Sequence, residues 1–130
     1  MFKSISLTFR GFDTPPQEVQ AIVGVEASSL GSRGEPVRPG VKSLLKRSFA
    51  KFSVEFPSGC RLDEMFPALM AHLGGVHHLC DVRDQVRAEF FELDIVLPVK
   101  GSEEQEGGFL PPTIIADLYL LKVSLSFQFL

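Results

Sequence analysis

Four stretches of this chain alternate apolar with polar residues, and that pattern restricts the fold more than any other feature. Ile5, Leu7 and Phe9 alternate with Ser4, Ser6, Thr8 and Arg10, and Phe52, Val54 and Phe56 with Lys51, Ser53 and Glu55. Phe91, Leu93, Ile95, Leu97 and Val99 alternate with Glu92 and Asp94, and Val123, Leu125, Phe127 and Phe129 with Ser124, Ser126 and Gln128. A period of two is that of a strand with one buried face. A sheet built from such strands cannot be covered on both sides, because its outward Ser, Thr, Lys, Glu and Gln would lose water without gaining partners. Helices therefore belong on one face only.

The intervening segments supply them. After Gly11-Phe12-Asp13, Thr14 is placed to cap a helix, with Pro15 at its first position and Gln17 reaching back to the cap. Val19, Ile22 and Val23 form its apolar stripe, and Gly24 can end it in the left-handed conformation. Asp63 is the expected cap of a second helix carrying Met65, Phe66, Leu69, Met70 and Leu73, with Pro67 in about its first turn and Gly74-Gly75 after it. Val76 to Arg87 predicts a third helix that buries Leu79, Val82 and Val86 and leaves His77 and Asp81 in solvent, and Pro112 to Leu121 a fourth. Val25 to Arg47 is expected to be a long loop, and Gly101 to Gly108, with Glu103, Glu104 and Glu106, a mobile acidic one.

These elements predict a single α+β domain over residues 1–130, a two-layer sandwich. Its sheet would be four-stranded and mainly antiparallel, with helices on one face. Two strand–helix–strand units interleave most simply in the ferredoxin-like order, with the two middle helices inserted between them. The second and fourth of these strands would then be outermost.

Composition excludes some functions. Thirteen Lys and Arg against sixteen Asp and Glu leave a formal charge of −3, which gives no general attraction to nucleic acid or anionic membranes. No apolar run is long enough for a membrane span, and the amino terminus lacks a signal-peptide pattern, so the chain reads as cytoplasmic. Cys60 and Cys80 have no paired spacing and are expected to stay reduced.

The chemical motifs are few. His72, His77, His78, Cys80, Asp81 and Asp84 concentrate potential ligands, yet no metal-binding spacing supports them, and we assign no metal, cofactor or catalytic residue. A Cys60 nucleophile served by His77 or His78 requires them to meet in space. Gly31-Ser-Arg-Gly34 looks like a phosphate cradle but lacks the Gly-Lys-Ser/Thr ending.

Phe9-Arg-Gly-Phe-Asp-Thr-Pro-Pro-Gln-Glu-Val19, Val23-Gly-Val-Glu-Ala-Ser28, Gly34-Glu-Pro36, Leu62-Asp-Glu-Met-Phe66 and Pro111-Pro-Thr-Ile-Ile-Ala-Asp-Leu118 resemble a bacterial family of uncharacterised proteins, domain of unknown function 4279. The resemblance spans nearly the whole chain. Members of that family often carry a tryptophan at the start of the second strand, where this chain has Phe49 and Phe52. It implies the fold, offers no catalytic residues to carry over, and leaves function open.

Two functions are expected from these features. The first is a non-catalytic protein-interaction module, an immunity-type or regulatory binder, with ligand or partner contacts at Arg10, Arg33, Arg38, Ser124 and Ser126. The alternative is a small-ligand or catalytic site formed by the basic loop 33–47 and the His77/His78 region. Self-association is expected at the final strand, because residues 123–130 hold no charged side chain, proline or glycine to discourage edge pairing.

Overall fold

The computed structural model describes residues 2–98 and 108–130. Nine elements follow in order: β1 (Phe2–Arg10), α1 (Pro16–Val23), β2 (Ser29–Gly31), β3 (Phe49–Pro57), α2 (Leu62–His72), α3 (Val76–Val86), β4 (Phe90–Leu97), α4 (Pro112–Leu121) and β5 (Ser124–Phe129). The strands form one open sheet in the order β2-β3-β1-β4-β5. All neighbours are antiparallel except β4 and β5, which run parallel.

The sheet thus has five strands among the described residues, where four were expected. The additional strand, β2, lies inside the Gly- and Pro-rich stretch expected to be a loop. It pairs Ser29, Leu30 and Gly31 with Lys51, Ala50 and Phe49. Three residues are too few to show a period, so only the pairing reveals it. Its presence also changes the topology. The parallel partner that β1 reaches through α1 is β2, and β3 turns back between them, so β1 meets β3 and β4 antiparallel on its two sides. Only β4-α4-β5 is a direct parallel crossover, and the order departs from the ferredoxin-like interleaving.

Register makes the two faces explicit. On one side, Phe52, Leu7, Leu93 and Leu125 form a row across β3, β1, β4 and β5, followed by the row Val54, Ile5, Ile95 and Phe127. The helices bury Val19, Met65, Phe66, Leu69, Leu79, Val82, Ile114 and Leu121 in the same core as Ile5, Leu7, Leu93 and Ile95. Phe9 stacks on Phe91 at 4.7 Å between ring centroids and meets Phe52 edge-on at 6.2 Å. On the other side lie the rows Glu55, Ser4, Val96, Gln128; Ser53, Ser6, Asp94, Ser126; and Lys51, Thr8, Glu92, Ser124.

Helix α3 has the expected limits, and its Leu79, Val82 and Val86 are buried while His77 and Asp81 are exposed. The ends of other helices differ from expectation. Helix α1 begins at Pro16 with Pro15 as its cap residue, and Thr14 makes no capping bond; its Oγ1 is buried without a partner. The two prolines fix extended backbone ahead of the helix, which moves the cap one residue beyond Thr14. Gly24 does end α1, at φ 96°, with its N–H donated to the Gln20 carbonyl. Helix α2 starts one residue before Asp63, which pairs with Arg61 at 3.1 Å in place of capping. Pro67 therefore falls in the second turn, where its missing N–H leaves the Asp63 carbonyl without its helical donor. Residues 101–107 of the expected acidic loop lie outside the described residues, as does Val99, expected in the third strand.

Candidate functional site

Burial falls abruptly along the apolar rows. Leu7 and Leu93 are 0% and 1% exposed, and the next residue in their row, Leu125, is 37% exposed; Ile5 and Ile95 are 0% and 1%, and Phe127 is 43%. Phe129 reaches 61%. All six residues of β5 are exposed, contrary to the buried inner face expected of the closing strand. The reason lies in α4, which packs on α3 and α2. Arg83 of α3 donates from Nη1 to the Leu120 carbonyl at 2.6 Å, and Cys80 Sγ lies 3.7 Å from the same oxygen. The last turn of α4 is thereby drawn toward the other helices. It leaves Ile115, Tyr119 and Leu120 exposed together with the β5 face.

Strand β5 is also a sheet edge. The Leu130 N–H donates to the Leu97 carbonyl at 3.0 Å, on the β4 side. Backbone groups alternate sides along a strand, so those of Leu125, Phe127 and Phe129 point away from β4. The opposite edge is protected: β2 covers Phe49 to Lys51, the Ser28 Oγ accepts the Ser53 N–H at 2.9 Å, and the remainder of β3 carries Glu55 and ends at Pro57. Lys51 is consequently interior to the sheet and does not guard its edge.

Two shallow clefts lie on the open face among the described residues. Short hydroxyl side chains on the central β1 between longer ones on β3 and β4 leave a trough of about 390 Å³. Its middle row is hydrogen-bonded, with Ser6 and Ser53 oxygens 2.7 Å apart and Ser126 donating to Asp94. A second cleft of about 330 Å³ gathers Arg10, Lys46, Arg47 and Lys51 beside Thr8 and Phe49. Lys51 borders both.

Of the residues expected at a site, Arg10 and Ser126 line these clefts, in separate ones. Ser124 stands opposite Glu92 at the edge, and Arg33 and Arg38 are exposed in the 32–48 segment and line neither cleft. The basic loop contributes Lys46 and Arg47 to a cleft that no residue of α3 lines. His78 instead engages the Val23 carbonyl at 2.8 Å, at the end of α1. Cys60 Sγ has Glu64 Oε2 and the Arg61 carbonyl as partners, both at 3.8 Å, and touches neither His77 nor His78. Burial and then the Glu64 charge push its thiol up from its ordinary value, the reverse of an activated nucleophile. Among the described residues, no three His, Cys, Asp or Glu side chains converge in a metal-binding group, and no helix is long and apolar enough to cross a membrane.

No protein-family model matches this chain, and no curated protein or solved structure is significantly similar to it.

Proposed function

We propose that the chain is a non-catalytic protein-interaction module that docks through β5, and that the occupant of this edge is a second copy of the same chain. The observation that carries this reading is the step in burial at β5, where a strand whose outward backbone has no partner among the described residues also exposes Leu125, Phe127 and Phe129. Between Ser124 and Phe129 there is no charge, so two such edges meet without repulsion. A two-fold axis at Phe127 sets Phe127 opposite its copy and Leu125 opposite Phe129. Every outward N–H and C=O then finds a partner, and the apolar rows continue from one sheet into the next. The β2 edge is too short to serve as the alternative partner in a head-to-tail chain.

The area available places this contact among the weak ones. A phenylalanine contributes roughly 150–250 Å² when fully buried, and about half of each is still available. The β5 faces alone then supply a few hundred Å², below the roughly 1,200 Å² of a standard interface. The dimer is accordingly expected to dissociate at about micromolar concentration. Sedimentation velocity across that range should show monomer and dimer in exchange, and Phe127→Asp should leave monomer alone. A wild-type monomer at all concentrations would refute the second copy as occupant. We also propose membership of domain of unknown function 4279 on the motifs given above, which bears on the fold and leaves function open.

A further inference from the structure

The cationic cleft at the end of β1 is constructed from fixed parts. Arg10 Nη1 lies 3.0 Å from Glu92 Oε1, a charge contact without hydrogen-bond alignment. Arg47 Nε donates to Glu89 Oε2 at 3.0 Å, and its guanidinium sits 5.1 Å above the Phe90 ring. Glu89 reaches that position because Gly11, at φ 81°, has no Cβ; one placed there would lie 2.9 Å from the Glu89 Cβ. The wall that carries Lys46 and Arg47 is tied at both ends. Leu45 exchanges backbone hydrogen bonds with Gly34 and Glu35 at 3.0 and 2.8 Å, and the Ser48 carbonyl accepts the Gly11 N–H at 2.8 Å. Gly31 makes room for the side chains of Leu45 and Phe49, which supply an apolar lining.

We propose that this cleft binds a small phosphomonoester with an apolar body. Four cations line it and two carboxylates, Glu89 and Glu92, hold its arginines, so the positive charge exceeds the negative by two, 4 − 2, in a chain whose formal charge is −3. Each arginine spends one side of its guanidinium on its carboxylate and keeps further N–H donors for a phosphate oxygen. Lys46 and Lys51 add two ammonium groups, and the Thr8 hydroxyl a neutral donor. Leu45 and Phe49 give an apolar substituent a surface to cover.

The test is an amide NMR titration of the full chain at fixed ionic strength with phenyl phosphate, inorganic phosphate and benzyl alcohol. Phenyl phosphate should saturate shifts confined to residues 8–11 and 45–51 and bind about tenfold more tightly than inorganic phosphate. Arg47→Gln and Lys51→Gln should each weaken it by about fivefold or more. Both side chains are exposed, and either variant suffices if the other misfolds. Unchanged affinity in a folded variant, benzyl alcohol binding as well as phenyl phosphate, or no saturation would overturn the proposal. Equal affinity for inorganic phosphate would remove the apolar body from it. Phe127→Asp should leave the titration unaltered, which separates this site from docking at β5.

Discussion

Gly11 shows how one residue type fixes several features at once. Its φ of 81° turns the chain out of β1, its carbonyl accepts the Glu89 N–H at 2.9 Å, and its missing Cβ admits the Glu89 side chain that positions Arg47. Gly11→Ala is expected to lower stability in urea unfolding by about 1–3 kcal/mol, from backbone strain and contact together. Gly24→Ala, at φ 96° with nothing near the added carbon, should cost only about 1 kcal/mol. Equal losses at the two positions would mean that the Glu89 contact is unimportant. Cys60 gives a pH signature. Its thiol is held protonated by burial and then by Glu64, so the folded state keeps its proton to higher pH than the unfolded chain does. Its contribution is therefore flat at neutral pH and declines as pH rises through the ordinary thiol range toward the raised value. Alkylation of Cys60 by iodoacetamide should accordingly be slower than that of a free thiol at the same pH, and a rate equal to the free thiol's would contradict the upward shift.

At the scale of elements, α2 carries a local conflict between sequence and conformation. Pro67 is exposed in its second turn, where the ring removes a hydrogen bond and gains no packing. Pro67→Ala should stabilise the protein by about 1–2 kcal/mol, the helix-interior penalty less what proline removes from the unfolded chain's entropy. Strand limits were largely readable, because alternation of large apolar residues in β1, β3 and β4 leaves one register that buries Ile5, Leu7, Phe52, Leu93 and Ile95. Helix faces were readable for the same reason, as Leu79, Val82 and Val86 show. What escaped was set by long-range pairing. Ser29–Gly31 is a strand only because β3 lies beside it. Leu125, Phe127 and Phe129 alternate as a buried strand does, and nothing local reveals that α4 is held over α3 by Arg83 and Cys80 and leaves them uncovered. The cleft was half legible: Arg10 and the basic loop were singled out, but Glu89, 42 residues from the Arg47 it positions, is a surface carboxylate with no motif of its own.

For the whole molecule, the two sides of the sheet differ in chemistry. The helix-covered side ends in an apolar edge, where we propose that a second copy docks, and the open side holds the hydroxyl and cationic clefts. The open face would stay free on dimerisation, because edge pairing extends the sheet in its own plane. The account's central claim is that β5 pairs with its own copy about Phe127, and amide hydrogen exchange of β5 as a function of protein concentration tests it most directly. Amides of Ser126 and Gln128 face β4 and should be protected at every concentration. Those of Leu125, Phe127 and Phe129 should exchange freely in the monomer. Their exchange should slow by about tenfold or more as concentration rises through the micromolar range, in step with the dimer population. Exchange at these three amides that is fast and independent of concentration, in a protein that remains folded, would contradict the account.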